Sequence, residues 1–305
     1  VNEDSREPST PEEVAPVKLK EAVAQYLESL AADGRSPHTQ GAYRRDLRVF
    51  VAFAGNVDLE AVTPAMLQKF MASRAVQIGP TGARRAKASV NRYRVTLKAL
   101  FAWAEARWYV SRNPTRVLKC QRQRAVPRDI LSDAEVETVL CAEYRGRNSL
   151  RDKAIVGFML MTGCRLGETV ALDLGDIDWS RQTVTLRSTK GGDPDRVPLS
   201  DRCLTCLAPC RPGDDAPPST PLFRSSRGER LSTRQVQRIV EARLREAGIL
   251  RHLTAHSLRH TFATRLYNNT GDIRLVQEAL RHEYITTTQI YAHVDPQRLR
   301  SAVNA

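Results

Sequence analysis

No apolar run in these 305 residues approaches the ~18 that a membrane-spanning helix needs, and nothing at the start reads as a secretion signal. The expectation is a protein that does not enter the membrane, in a reduced cytosolic setting where its six cysteines stay unpaired. Solenoid-type repeats and low-complexity blocks are missing as well. So are clustered carboxylates, the ligand set of a two-metal nuclease. The run C-x2-C-x3-C at Cys203, Cys206 and Cys210 has no second Cys/His pair at finger-like spacing, and Pro209 and Pro212 flank its end. Those cysteines are expected to be structural, and neither a metal nor another cofactor is expected. The remaining scarcity is local. Between residues 17 and 128 there are 7 acidic side chains against 21 basic ones, a net charge of +14, whereas residues 1–16 carry −4 and residues 129–305 carry +3. An excess confined to one region implies a polyanion as partner, because Lys and Arg displace the counterions condensed on a phosphate backbone.

What is present organises into a tail, a helical region, a linker and a larger second domain. Residues 1–16 are acidic, Pro-containing and poor in apolar side chains, which predicts a disordered tail. Residues 17–110 read as a helical domain. Leu19, Val23, Tyr26, Leu27 and Leu30 form one apolar stripe ended by Gly34, and Ser36-Pro37 opens a second helix with Tyr43, Leu47, Phe50 and Val51 inward. Thr63-Pro64 starts a third helix that runs through Phe70. A fourth is predicted from about Ala83 to Trp108, with Val90, Leu97, Leu100, Phe101 and Trp103 in the core. The outer faces of the second and fourth helices are basic: Arg44, Arg45 and Arg48 on one, then Arg84, Arg85, Lys87, Arg92, Arg94 and Lys98 on the other. Solvated faces usually mix signs, so these are expected to grip DNA. Residues 111–130 read as a linker. Ser132 with Glu135 forms a capping box that opens the domain 131–305. That domain reads as helices at 133–143 and 149–162, a β-hairpin built from QTVTLRS and RVPLS around TKGGDPD, a helix at 233–247 ended by Gly248, and further helices. The fold class is therefore mainly α with a small β-hairpin, in two domains.

The chemistry concentrates near the end of the chain, in AHSLRHTFATRL and ALRHEYITTTQIYAHV. His256 and Arg259 lie one helical turn apart and can grip one phosphate together. His282 and Tyr291 follow, and a tyrosine held beside a bound phosphate can attack it. Upstream, TGCRLGE places Arg165 after a glycine turn, with Glu168 able to buttress it through a charge-assisted hydrogen bond. Lys190 sits in the hairpin tip beside Gly191 and Gly192, which allow a tight turn. Taken singly, a hairpin lysine is ordinarily solvent charge and a lone histidine or tyrosine is ordinarily a packed residue. Their joint occurrence, in this order, is what points to phosphoryl transfer on a nucleic acid.

These motifs, TGCRLGE, the hairpin Lys190, HSLRHTFAT, LRH and TTTQIYAH, resemble those of the tyrosine recombinase (phage integrase) family, and the likeness covers nearly the whole folded chain. It implies a basic helical core-binding domain followed by a catalytic domain, together clamping DNA. It assigns Arg165 and Arg259 as the paired arginines, Lys190 as the hairpin lysine, His256 and His282 as the two histidines, and Tyr291 as the nucleophile. One departure is Arg281, which stands where the family commonly has glycine; an extra cation there can contact phosphate or crowd the turn.

The implied reaction is attack of the Tyr291 oxygen on a scissile phosphorus, leaving a 3′-phosphotyrosyl link and releasing a 5′ oxygen that Lys190 protonates. The arginines and His282 would stabilise the pentacoordinate transition state, and His256 would act as acid–base partner or phosphate aligner. The link conserves the phosphodiester energy, so neither ATP nor a metal is expected. The implied partners are duplex DNA target sites and three further copies of the chain in a tetramer, with a partner recombinase or accessory protein as an option. The short segment after Tyr291, with Leu299 and Val303, is a candidate for docking on a neighbouring protomer. No basic arm-binding domain precedes residue 17, which favours Xer-like, transposon or cassette-type enzymes. Three other readings stand beside this one: a type IB topoisomerase or telomere resolvase, a catalytically silent DNA-binding relative, and a zinc-dependent DNA-binding protein built on the three clustered cysteines.

Overall fold

In the computed structural model the chain divides into two compact units, Val1–Ala125 and Val126–Ala305. The structure describes residues 16–121, 129–187, 194–211 and 216–281. Among them no helix is long and apolar enough to cross a membrane.

The first unit is helical: α1 (Leu19–Ala32), α2 (Pro37–Ala54), α3 (Pro64–Ala72), α4 (Arg74–Gln77) and α5 (Lys87–Ala106). Local chemistry sets two of the starts. The Ser36 hydroxyl accepts from the amide of Thr39, and the Thr63 hydroxyl accepts from that of Met66; in each case proline takes the next position, where no donor is needed. Leu19, Tyr26, Leu30, Leu47, Phe50, Phe70, Leu97 and Phe101 meet in one core, with the Phe50 and Phe70 rings edge to face at 5.0 Å. The fourth predicted helix begins later than its periodicity indicated. Residues Gly79 to Gly82 reverse the chain, Ile78 and Arg84 form an antiparallel bridge, and α5 starts only at Lys87. Arg84 and Arg85 therefore precede the helix rather than lying on its face. The stretch expected as linker is packed as far as Gln121. Ser111 donates to Glu60, Leu118 is buried, and Asn91 exchanges two hydrogen bonds with the backbone of Gln121 at 2.8 and 2.9 Å. These contacts are tertiary, so no helical period announces them.

The second unit runs α6 (Asp133–Cys141), α7 (Ser149–Thr162), α8 (Leu166–Ala171), β1 (Ile177–Asp178), β2 (Thr183–Leu186), β3 (Asp195–Pro198), α9 (Asp201–Leu207), α10 (Thr233–Glu246), α11 (Ala255–Thr270) and α12 (Ile273–Leu280). The capping box forms reciprocally: the Ser132 amide donates to Glu135 at 2.8 Å and the Glu135 amide donates to Ser132 at 3.3 Å. The strands make an antiparallel sheet in the order β1-β2-β3, with Val184 opposite Val197 and Leu186 opposite Asp195. β1 and the short α8 were not anticipated. α7 is buried almost all round, from Ala154 to Leu160, because α9, α10 and α11 pack against it. Val184 and Leu186, the alternating pair of the predicted strand, enter the same core. Burial pushes the Cys203 thiol up to about 12 and that of Cys210 up to about 11, so both are neutral packing groups. No group of three or more His, Cys, Asp and Glu side chains among the described residues is placed to hold a metal ion.

Candidate active site

The site begins where α7 ends. Gly163 takes a left-handed conformation (φ 63°) and its amide donates to Met159. A Cβ there would also run into the ring of Phe262 on α11, so both the turn and the helix contact require glycine. The turn delivers the buried Cys164 and then Arg165, which caps α8. The backbone amide of Arg165 and its Nη1 donate to the two oxygens of Glu168, each at 2.7 Å. Glu168 is buried, while the Arg165 side chain remains 36% exposed.

α11 supplies the second arginine. His256 is exposed in its first turn, at the positive end of the helix dipole, and Arg259 follows one turn later. Arg259 is 3% exposed. Its Nη1 donates to the Gly163 carbonyl at 2.5 Å, and its Nη2 donates to the Leu280 carbonyl. Arg165 Nη2 donates to the next carbonyl along, that of Arg281, at 3.2 Å. The two guanidiniums thus converge on successive carbonyls at the end of α12. Sequence reasoning passed over His260, which is buried with its ring 4.4 Å from that of His256. The signal was available, since residues four apart share a helix face.

Arg281 resolves the choice between a phosphate contact and a crowded turn. Its backbone is left-handed (φ 54°, ψ 49°), a conformation that costs a side-chain-bearing residue roughly 1–2 kcal/mol. The side chain folds inward and is 9% exposed; Nη2 donates to Glu168 at 2.8 Å and Nη1 to the Ala279 carbonyl at 3.2 Å. Burial opposes the charge on Glu168, but the Arg281 guanidinium and the hydrogen bonds from Arg165 outweigh it, so the carboxyl is held below its ordinary range. Burial in turn keeps the Cys164 thiol raised.

The hairpin is clamped at its base. Arg187, just after β2, pairs with Asp173 at 3.2 Å and with the buried Asp176 at 2.5 Å, and Arg230 also grips Asp173. Lys190, His282 and Tyr291 lie outside the described residues, as do Leu299 and Val303.

The basic surface of the first unit is smaller than the sequence implied. Arg44, Arg45 and Arg48 are exposed on α2, Lys87 is exposed at the start of α5, Arg84 is exposed before it, and Lys98 is half-buried. Arg85 is half-buried, with its guanidinium 5.9 Å from the centre of the Tyr93 ring. One expected surface position is corrected, and a second residue is exposed but paired. Arg94 is buried and donates to Asn91 at 3.0 Å. Arg92 grips the buried Asp46 through two hydrogen bonds of 2.8 and 2.7 Å, so its charge ties α5 to α2.

Residues 129–298 match the family model described as Phage integrase family, and residues 23–107 match that of the Phage integrase N-terminal SAM-like domain. The tyrosine recombinase XerC of Thermodesulfovibrio yellowstonii is 32% identical over 275 residues, 87% of this chain and 89% of its own. The tyrosine recombinase XerD of Ralstonia nicotianae is 32% identical over 303 residues, 94% of each chain. Among solved structures, XerH bound to a palindromic difH substrate aligns with a TM-score of 0.70 at 24% identity, covering 92% of this chain and 84% of that one. A lambda integrase tetramer bound to a Holliday junction aligns with a TM-score of 0.71 at 21% identity, covering 91% and 78%. At these identities the structural likeness speaks to the fold.

Proposed function

Because the chain belongs to the phage integrase family of tyrosine recombinases, we propose that this site-specific recombinase cleaves and rejoins duplex DNA through a 3′-phosphotyrosyl link on Tyr291. The observation that carries the reading is the convergence of Arg165 and Arg259 on the Leu280 and Arg281 carbonyls. Guanidiniums fixed in this way need not reorganise as charge builds on the non-bridging oxygens of the phosphate. Glu168 aligns Arg165 through its fork. His256, exposed one turn before Arg259, transfers a proton with the tyrosine or aligns the phosphate. Lys190 protonates the departing 5′ oxygen, and His282 adds a hydrogen bond to the non-bridging oxygens. The cations supply the electrostatic stabilisation, and the phosphotyrosyl link conserves the bond energy, so the cycle runs without added metal or ATP.

Arg44, Arg45 and Arg48 hold the duplex through its backbone. Four protomers act on two duplex sites through a Holliday junction; a lambda integrase tetramer bound to a Holliday junction shares the fold. The test is covalent capture from a library of nicked duplexes, in EDTA and without ATP, followed by sequencing of the trapped DNA. The wild-type chain should yield a protease-sensitive adduct at a defined sequence. Tyr291→Phe should bind the same DNA and yield none. An adduct in the Tyr291→Phe protein would overturn the assignment of the nucleophile.

A further inference from the structure

We infer that Arg281 is a positioning residue for strand cleavage: it neutralises Glu168 from behind, so that the charge of Arg165 is available to the scissile phosphate. The inference rests on the recombinase reading and deepens it. Three contacts close a ring. Arg165 Nη1 donates to Glu168 Oε1 at 2.7 Å, Arg281 Nη2 donates to Glu168 Oε2 at 2.8 Å, and Arg165 Nη2 donates to the Arg281 carbonyl at 3.2 Å. One residue therefore contributes twice, with its backbone to the fork of Arg165 and with its side chain to the carboxylate that aligns that fork. The left-handed turn at the end of α12 brings both groups to the start of α8.

The charge count shows what the side chain adds. A buried carboxylate paired with Arg165 alone brings the formal charge of the pair to zero and offsets part of the field that Arg165 presents to the phosphate. With Arg281 included, the ring of three side chains carries a net positive charge in a place where burial strengthens its field. A surface role does not fit: the Arg281 side chain is 9% exposed and faces Glu168, not solvent.

Among the described residues, the groups that act on Glu168 are Arg165, which caps the same helix, and Arg281 from the end of α12, with Cys164 of the turn after α7 alongside. Asp195 of β3 lies 4.0 Å from Arg281 Nε, a buried nitrogen without a hydrogen-bond partner. Burial pushes the Cys164 thiol up, which favours its neutral form. Glu168 is thus the buried acid whose titration loss of Arg281 would move.

The experiment compares wild type with Arg281→Gly, which suits the left-handed backbone, and with Arg281→Lys, each alone and combined with Glu168→Gln. Single-turnover cleavage of captured duplex should fall at least tenfold in Arg281→Gly while DNA affinity holds. The acid limb of its rate profile should move to higher pH, and Arg281→Lys should restore most of both. In the Glu168→Gln background, Arg281→Gly should change the rate less than twofold. A wild-type pH profile in Arg281→Gly, or rate losses that multiply independently in the double variant, would overturn the inference. Carbon-13 titration of glutamate-labelled protein without DNA gives a separate reading: Glu168 should titrate higher in Arg281→Gly than in wild type, and an unchanged titration refutes the placement. A wild-type chain that forms no adduct refutes the recombinase reading instead, and leaves the carbon-13 result to decide this one.

Discussion

Arg259 in the second unit and Arg48 in the first carry the same guanidinium, yet one is 3% exposed with two nitrogens on backbone carbonyls and the other stands in solvent on α2. The contrast extends to their neighbours. Arg165 and Arg281 share one buried carboxylate, whereas Arg44 and Arg45 are exposed beside Arg48. Pinned arginines have a fixed direction and suit a single phosphate, as the proposed reaction requires. Exposed arginines supply field without direction, tolerate any backbone sequence and are screened by salt. Arg92 crosses between the classes, because Asp46 converts a surface charge into a tie between helices.

The strongest way to break the comparison is to keep the charge and remove the fork. Arg259→Lys should lower the rate of adduct formation by about 10²–10³, the cost of losing one aligned donor to a transition-state oxygen, while binding changes little. Equal losses in binding and cleavage would place Arg259 with the exposed class. The opposite class is tested by replacing Arg44, Arg45 and Arg48 together with alanine. Affinity should fall on specific and random duplex alike, and the slope of log K against log salt should become shallower by about 2.7 if each arginine meets one phosphate. An unchanged slope would show that α2 does not face the backbone.

The smallest effect sharpens the contrast between pinned and free charge. Arg251 and the Ser132 amide hold the Glu135 carboxyl down at about 2, below its ordinary 4.5. The stability this contributes is full above pH 4.5 and is lost as the pH falls toward 2. The group is largely solvated, so the change should stay below about 1 kcal/mol. Denaturant titrations of wild type and Glu135→Gln at pH 6 and pH 3 should show that increment only in wild type.

What was legible in the sequence was largely local. Ser36-Pro37, Thr63-Pro64 and the Ser132–Glu135 box each announce a helix start through a side-chain acceptor within a few residues, and each is formed. The convergence of Arg165 and Arg259 is set up by features the sequence shows, a glycine turn for one and a helix for the other. Arg94 was misread although its signal was present. It lies four residues after Val90 and three before Leu97, on the stripe that puts both of those inward. Asp46, four residues before Phe50, follows the same logic, and a carboxylate on an apolar stripe implies a partner such as Arg92. β1 and α8 are too short, at two and six residues, to show a period of their own. The packed stretch 111–121 is held by contacts to residues 30 and 51 positions away, which no local period encodes. The inward fold of Arg281 is of that second kind, since Glu168 lies 113 positions away.

α12 is short, and its buried footing is the small cluster of Ala263, Val276 and Leu280, with Phe262, Leu266 and Tyr267 against it. Its last carbonyl and that of the residue capping it nevertheless form the common rest for Arg259 and Arg165. The two arginines are therefore geared to one shaft: a shift of α12 by a fraction of a hydrogen-bond length moves both acceptors together. The arginine pair is assembled or lost together, and a substitution in the footing of α12 reaches the proposed phosphate site without touching either guanidinium.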